Sequence, residues 1–390
     1  MVVRNSHFDF DTPIERRGTG SVKWDRYKGR DILPLWVADM DFAAPPTVIE
    51  ALQARVAHGV FGYGNAPDEL LDAIQAHLLR AYGWQVRPDW IVWLPGLVPG
   101  LHLACRAVAK AGEAVLTLSP VYPPFLKAPA ASGQRLIDVP LARDEQGYYS
   151  VDFERLEAAI TSDTRLLLLC NPHNPVGRVY TEAELRELAA VCERHDLTIC
   201  SDEIHDGLVL DPSRRHIPLA SLDEAIARRS ITLMAPSKTY NVPGLGFSFA
   251  VIPDADLRRR FRDAKAGTVP EVNVLGFSAA LAAYTQASDW HAALLDYLRG
   301  NLARVAEAID AMPGLAMGPV EATYLAWIDA RELAPTQAGR FFEQAGVGLS
   351  EGADFGAPGF VRLNFGCPRI TLDMALSRMA TALEASAKKG

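Results

Sequence analysis

Seven short apolar runs recur between residues 91 and 252: 91–94 (IVWL), 114–118 (AVLTL), 135–139 (RLIDV), 165–170 (RLLLLC), 197–201 (LTICS), 230–234 (SITLM) and 247–252 (FSFAVI). Several are rich in Val, Ile and Leu without polar alternation, the pattern of strands covered on both faces. Helical patterns lie between them. The clearest opens at Thr181, where Thr181-Glu182-Ala183-Glu184 forms a capping box and Leu185, Leu188 and Cys192 mark an apolar stripe. Segments 100–109, 153–160 and 256–264 read the same way. Strands alternating with helices predict an α/β architecture built on a mostly parallel, seven-stranded sheet flanked by helices.

From about residue 289 the pattern changes. A long helix over 290–311 ends at Met312-Pro313-Gly314, a strand follows at 324–328, then a helix near 337–345, a strand at 361–363 and an amphipathic helix near 371–386. This predicts a large domain over 46–288 and a smaller α+β domain made of 1–45 and 289–390. The tail Lys388-Lys389-Gly390 is expected to fray.

With 390 residues, the chain has room for roughly two domains. Its net charge of -8 and pI of about 5.6 argue against a nucleic-acid partner. The longest cationic run, Arg258-Arg259-Arg260, reads as the solvated end of a helix. Five singly spaced cysteines fit free thiols in a reducing compartment. The first residues lack the apolar core of a leader peptide, and no apolar stretch reaches the ~18 residues of a membrane span. A cytoplasmic address without membrane contact is the expectation.

Several apolar runs deliver a polar residue just past their ends. Lys238 follows 230–234 on the small-residue loop Ala235-Pro236-Ser237, where an enzyme would hold a lysine that loses its proton and condenses with a carbonyl; a solvated surface charge is the alternative. Asp202 follows 197–201, at the end of a strand where ligands bind in open α/β sheets; an Asp capping a turn is the alternative. Asn174 lies in Asn171-Pro172-His173-Asn174-Pro175, either a plain rigid turn or an amide donor. Residues 95–100 (PGLVPG) end a strand and open a helix. They offer backbone N–H groups to an anion, or a simple glycine turn. Tyr122 is either a stacking ring or packing. Nine histidines show no metal-ligand spacing.

The spaced set PGLVPGL (95–101), SPVYPPF (119–125), CNPHNPVGR (170–178), SDEIH (201–205), APSKTYN (235–241) and RLNFGCPR (362–369) resembles fold-type I pyridoxal-phosphate enzymes. Within them it is similar to the MalY/PatB group of carbon–sulfur β-lyases in the class I/II aminotransferase superfamily. Residues 35–42 (LWVADMDF) and 61–64 (FGYG) match that group too, so the likeness spans about 8–385. It implies an aspartate aminotransferase-like fold and pyridoxal 5'-phosphate as cofactor, with Lys238 as the Schiff-base lysine. It further implies Asp202 at the pyridinium, Asn174 at the ring hydroxyl, Tyr122 stacked on the ring, and Gly96, Leu97 and Ser237 at the phosphate. Tyr63 matches a tyrosine that reaches the neighbouring subunit's site, which implies a homodimer with shared active sites. Arg362 matches the clamp for the substrate α-carboxylate.

Two departures from the wider aminotransferase pattern lean toward a lyase. His205 stands where many aminotransferases place a Tyr, and Gly246 where many carry a phosphate-binding Arg. The expected substrate is an amino-acid thioether such as cystathionine, its distal end shaped by loops near 36–42 and 350–360. An aminotransferase is the nearest alternative. A lyase with an added regulatory, protein-binding role is another, since the group includes members that contact a transcriptional activator.

Overall fold

The computed structural model describes residues 8–333 and 337–387; the expected fraying of Lys388-Lys389-Gly390 and the features read from the first seven residues lie outside them. Each of the seven apolar runs forms a strand: β1 (Ile91–Leu94), β2 (Ala114–Ser119), β3 (Arg135–Pro140), β4 (Thr164–Cys170), β5 (Thr198–Asp202), β6 (Ser230–Met234) and β7 (Ser248–Val251). They join one sheet in the order β1-β7-β6-β5-β4-β2-β3. β7 runs against the direction shared by the other six.

The lack of alternation has a direct cause. Val115, Leu166, Leu168, Cys200 and Leu233 pack on one face with Leu101, Cys105 and Phe261 of the helices Leu97–Val108 and Ala255–Lys265. Their sequence neighbours Leu116, Leu118, Leu167, Leu169 and Ile199 pack on the other, with Leu185 and Leu188 of the helix Glu182–Arg194. Both faces are dry, so apolar residues occupy successive positions of the central strands, with a few small hydroxyl residues such as Thr117, Ser201 and Thr232 buried among them. Gly100 lets the first of these helices approach closely: a Cβ there would meet the Leu233 methyls at 3.0 Å. The Thr181 capping box forms, with Glu184 N–H donating to Thr181 Oγ1 at 3.2 Å.

One expectation is corrected. Arg258 is not a solvated helix end but a buried residue in the first half of its helix. Its guanidinium donates to the carbonyls of Ile252 (2.7 Å) and Pro253 (2.9 Å), groups left without ladder partners where β7 ends. Arg259 remains exposed.

The C-terminal third holds a four-stranded antiparallel sheet: β8 (Ala316–Met317), β9 (Leu325–Asp329), β10 (Phe360–Asn364) and Ser350–Glu351 at the edge. The helices Ser288–Asp310 and Arg369–Ala387 contribute Leu294, Leu298, Leu372 and Met379 to a core that also takes Leu35, Met40 and Phe42 from the N-terminal segment. Leu33–Pro34 pairs in parallel with Val347–Gly348. We propose a division of the chain at about residues 46 and 289, with this core also taking Val48, Leu208 and Tyr240 from across it.

Candidate active site

Four consecutive parallel strands, β2, β4, β5 and β6, aim their carboxyl ends at one cavity of about 370 Å³. Asp202, the last residue of β5, and Tyr122, Asn174, His205, Ser237 and Lys238 in the turns that follow the strands stand on its wall. Gly96 and Leu97 join them from the start of the helix Leu97–Val108, which has no side-chain cap and so keeps N–H groups available. Arg362 reaches in from β10. Every expected site residue except Tyr63 lines this cavity. Tyr63 is fully exposed, near exposed Val60 and Phe61.

The charges inside are in unusual states. Burial pushes the Asp202 carboxyl up to about 7, against a hydrogen bond from Ile204 N–H (3.1 Å) and the attraction of Lys238. Burial lowers the Lys238 amine to about 8, with Asp39 acting in the opposite direction. The Arg362 guanidinium, also desolvated, falls to about 10. It donates to Asn174 Oδ1 (2.9 Å) and Trp36 O (2.8 Å), stacks over Phe355 at 4.7 Å, and has no acidic partner among the described residues. Its Nε and the Nδ1 of His205 are buried without a hydrogen-bond partner among the described residues. Burial holds His205 well below the usual imidazole range, hence neutral.

The cavity's remaining wall is a backbone strap over residues 35–42. Asn364 N–H donates to Leu35 O (2.9 Å), and its amide reaches Val37 O and Asp39 O, each at 2.6 Å. Asn241, three residues after Lys238, binds Met40 N–H, Met40 O and Phe42 O. Behind the strap, fully buried Lys23 pairs with Asp41 Oδ2 at 2.8 Å, and Arg16 bridges Asp39 and Asp41. The Ala38 carbonyl accepts from both Lys238 Nζ and Tyr324 OH. Sequence reasoning placed the strap near the pocket but missed the role of that carbonyl, because a backbone acceptor leaves no mark in residue type. It placed Tyr324 at the start of the strand expected over 324–328 but missed its place at the site, buried edge-on against His205 at 6.2 Å.

Among known proteins, the cystathionine beta-lyase PatB of Bacillus subtilis (strain 168) is 37% identical over 388 residues, covering 96% of this chain and 100% of the relative. The crystal structure of OvoB matches with a TM-score of 0.94 at 47% identity, over 96% of this chain and 99% of that one. Cystalysin from Treponema denticola, whose structure contains a pyridoxal 5'-phosphate cofactor, matches with a TM-score of 0.93 at 33% identity, over 97% and 99% of the two chains. A family model described as aminotransferase class I and II fits residues 30–379, from the segment before the strap to the last helix. The chain belongs to the class I and II aminotransferase family.

Proposed function

We propose that this protein is a pyridoxal-phosphate-dependent carbon–sulfur β-lyase that cleaves cystathionine or related cysteine S-conjugates to a thiol, pyruvate and ammonia. The observation that carries this reading is the set of mismatched charges in one cavity. A buried carboxylate at Asp202 calls for a cation, and a buried guanidinium at Arg362 without an acid partner calls for an anion. A protonated pyridine nitrogen and a substrate α-carboxylate are those two ions. The relatives named above support the same chemistry.

Pyridoxal phosphate, when bound, supplies an aldehyde for amino groups and a cationic ring that accepts the electron pair left on the substrate α-carbon. Lys238 would hold the aldehyde, Asp202 the ring nitrogen and Asn174 the ring oxygen. Tyr122 would cover the ring face, with His205 beside it. The free N–H groups at Gly96 and Leu97 and the Ser237 hydroxyl would hold the phosphate. Arg362 then fixes the substrate carboxylate through a planar, paired set of N–H donors. The Lys238 amine, lowered to about 8, is partly neutral near pH 7, so Nζ can take the α-proton as general base. Loss of that proton drives cleavage of the Cβ–S bond and release of the thiol; the three-carbon remainder hydrolyses to pyruvate and ammonia.

Aminotransferase chemistry shares the steps up to proton removal. Incubation with cystathionine and no keto acid separates the two: pyruvate and free thiol support the lyase, and strict dependence on an added keto acid supports the transaminase. A homodimer with shared sites is part of the proposal, supported by the exposed Val56, Val60, Phe61 and Tyr63. A cytoplasmic address is supported by five free, buried cysteines. No helix among the described residues is long and apolar enough to cross a membrane.

A further inference from the structure

Four charged side chains line the cavity: Asp202, Lys238, Arg362 and Asp354. The proposed chemistry occupies the first three. Asp354 is left over, and it has no ion pair or hydrogen bond among the described residues. It both lines the cavity and stays exposed, which puts it at the opening, beyond the reacting atoms.

Its position is fixed by its neighbours. Asp354 lies in the single turn Gly352–Phe355, closed by Ala357 N–H donating to Gly352 O at 2.9 Å. Phe355 is 2% exposed, packs edge-on against Trp327 at 5.6 Å, and accepts from Val121 N–H at 3.1 Å through its carbonyl. One wall of the cavity therefore holds the other, and the carboxylate is presented by a rigid loop rather than a mobile tip. Lys238 and Arg362, both already assigned, are the only cations among the described residues that line the cavity. The wall also includes Trp36, Tyr122, Phe355 and Ser350, whose hydroxyl is already given to Trp36 O at 2.8 Å, and the helix Pro123–Ala131 beside it opens on two prolines, which have no N–H to donate.

We infer that the outer compartment selects thioethers whose distal, departing portion carries a positive charge, an ammonium or a protonated nitrogen heterocycle, and that Asp354 is the residue that reads it. The inference rests on the lyase function proposed above and names the substrate class for that same site.

Three cysteine conjugates of similar length separate the possibilities: S-aminoethyl-L-cysteine (cationic), S-propyl-L-cysteine (neutral) and S-carboxymethyl-L-cysteine (anionic). Pyruvate release is followed for the pyridoxal-phosphate-loaded wild type and for Asp354→Asn and Asp354→Glu. For an exposed charge pair, kcat/KM for the aminoethyl conjugate should exceed that for the propyl conjugate by about twofold to fivefold, with the carboxymethyl conjugate poorest. Asp354→Asn should bring the aminoethyl-to-propyl ratio close to one, and Asp354→Glu should keep it well above one. A wild-type ratio near one, or a ratio that Asp354→Asn leaves intact, overturns the inference while propyl turnover still upholds the lyase. Absence of pyruvate from all three conjugates overturns both.

Discussion

Replacing Asp202 with Asn should make the cofactor-free protein more stable and the loaded enzyme nearly inert. Burial lifts this carboxyl from 3.8 to about 7. At about 1.4 kcal/mol for each tenfold change in proton affinity, the ionised group opposes folding by about 4 kcal/mol. The folded chain keeps this proton to a higher pH than the unfolded chain. Stability therefore falls as pH rises from about 4 toward 7, and the full deficit is present above about 7. Asn does not titrate, so the variant escapes the deficit. Urea unfolding of cofactor-free protein should find Asp202→Asn more stable than wild type at pH 8, by up to about 4 kcal/mol, with a smaller gain at pH 5. Turnover of the loaded variant should fall by about tenfold to a hundredfold or more, for loss of a charge-assisted hydrogen bond of about 1.5–3 kcal/mol. A variant no more stable than wild type at pH 8, or with the same gain at both pH values, would refute the reasoning.

With the Lys238 amine lowered to about 8, loading of the cofactor-free chain with pyridoxal phosphate should speed up about tenfold per pH unit below 8 and level off above it. Rapid-mixing absorbance checks this; a rate flat from pH 6 to 9 contradicts it, and Lys238→Ala should show no violet absorbance or turnover at all. Arg362→Lys should raise KM by about tenfold to a hundredfold while changing kcat less, because a point charge replaces a planar fork; steady-state kinetics with a fall in kcat alone would exclude the carboxylate clamp. If Tyr63 completes the neighbouring subunit's site, inactive Tyr63→Ala and Lys238→Ala proteins, refolded together in equal amounts, should recover about a quarter of wild-type activity through mixed dimers. Recovery of none would refute the shared site.

The large sheet was legible because its strands are buried on both faces, and dry strands cannot hide their composition. Strand order was not. That β7 inserts antiparallel between β1 and β6 depends on which edges meet, and no local pattern records it. The helices Pro46–Ala57 and Asp68–Tyr82 escaped notice because each buries only a narrow stripe, a single Val48 in the first and Leu70, Ile74 and Leu78 in the second. Within the cavity, the residues implied by the resemblance and placed after apolar runs were legible, since strand ends and motif spacing both point to them. Asp354 was not, because an exposed acid on a loop looks like any solvated charge until the opposite wall is known.

The strap over residues 35–42 gives the amino-terminal end of this chain an unusual cost of alteration. Here, starting the polypeptide after Phe42 would strip Lys238, Tyr324 and Arg362 of their carbonyl acceptors at once, turning a closed chamber into an open trough. A fusion partner placed at that end should likewise be judged by whether it leaves Arg16 and Lys23 free to brace the strap.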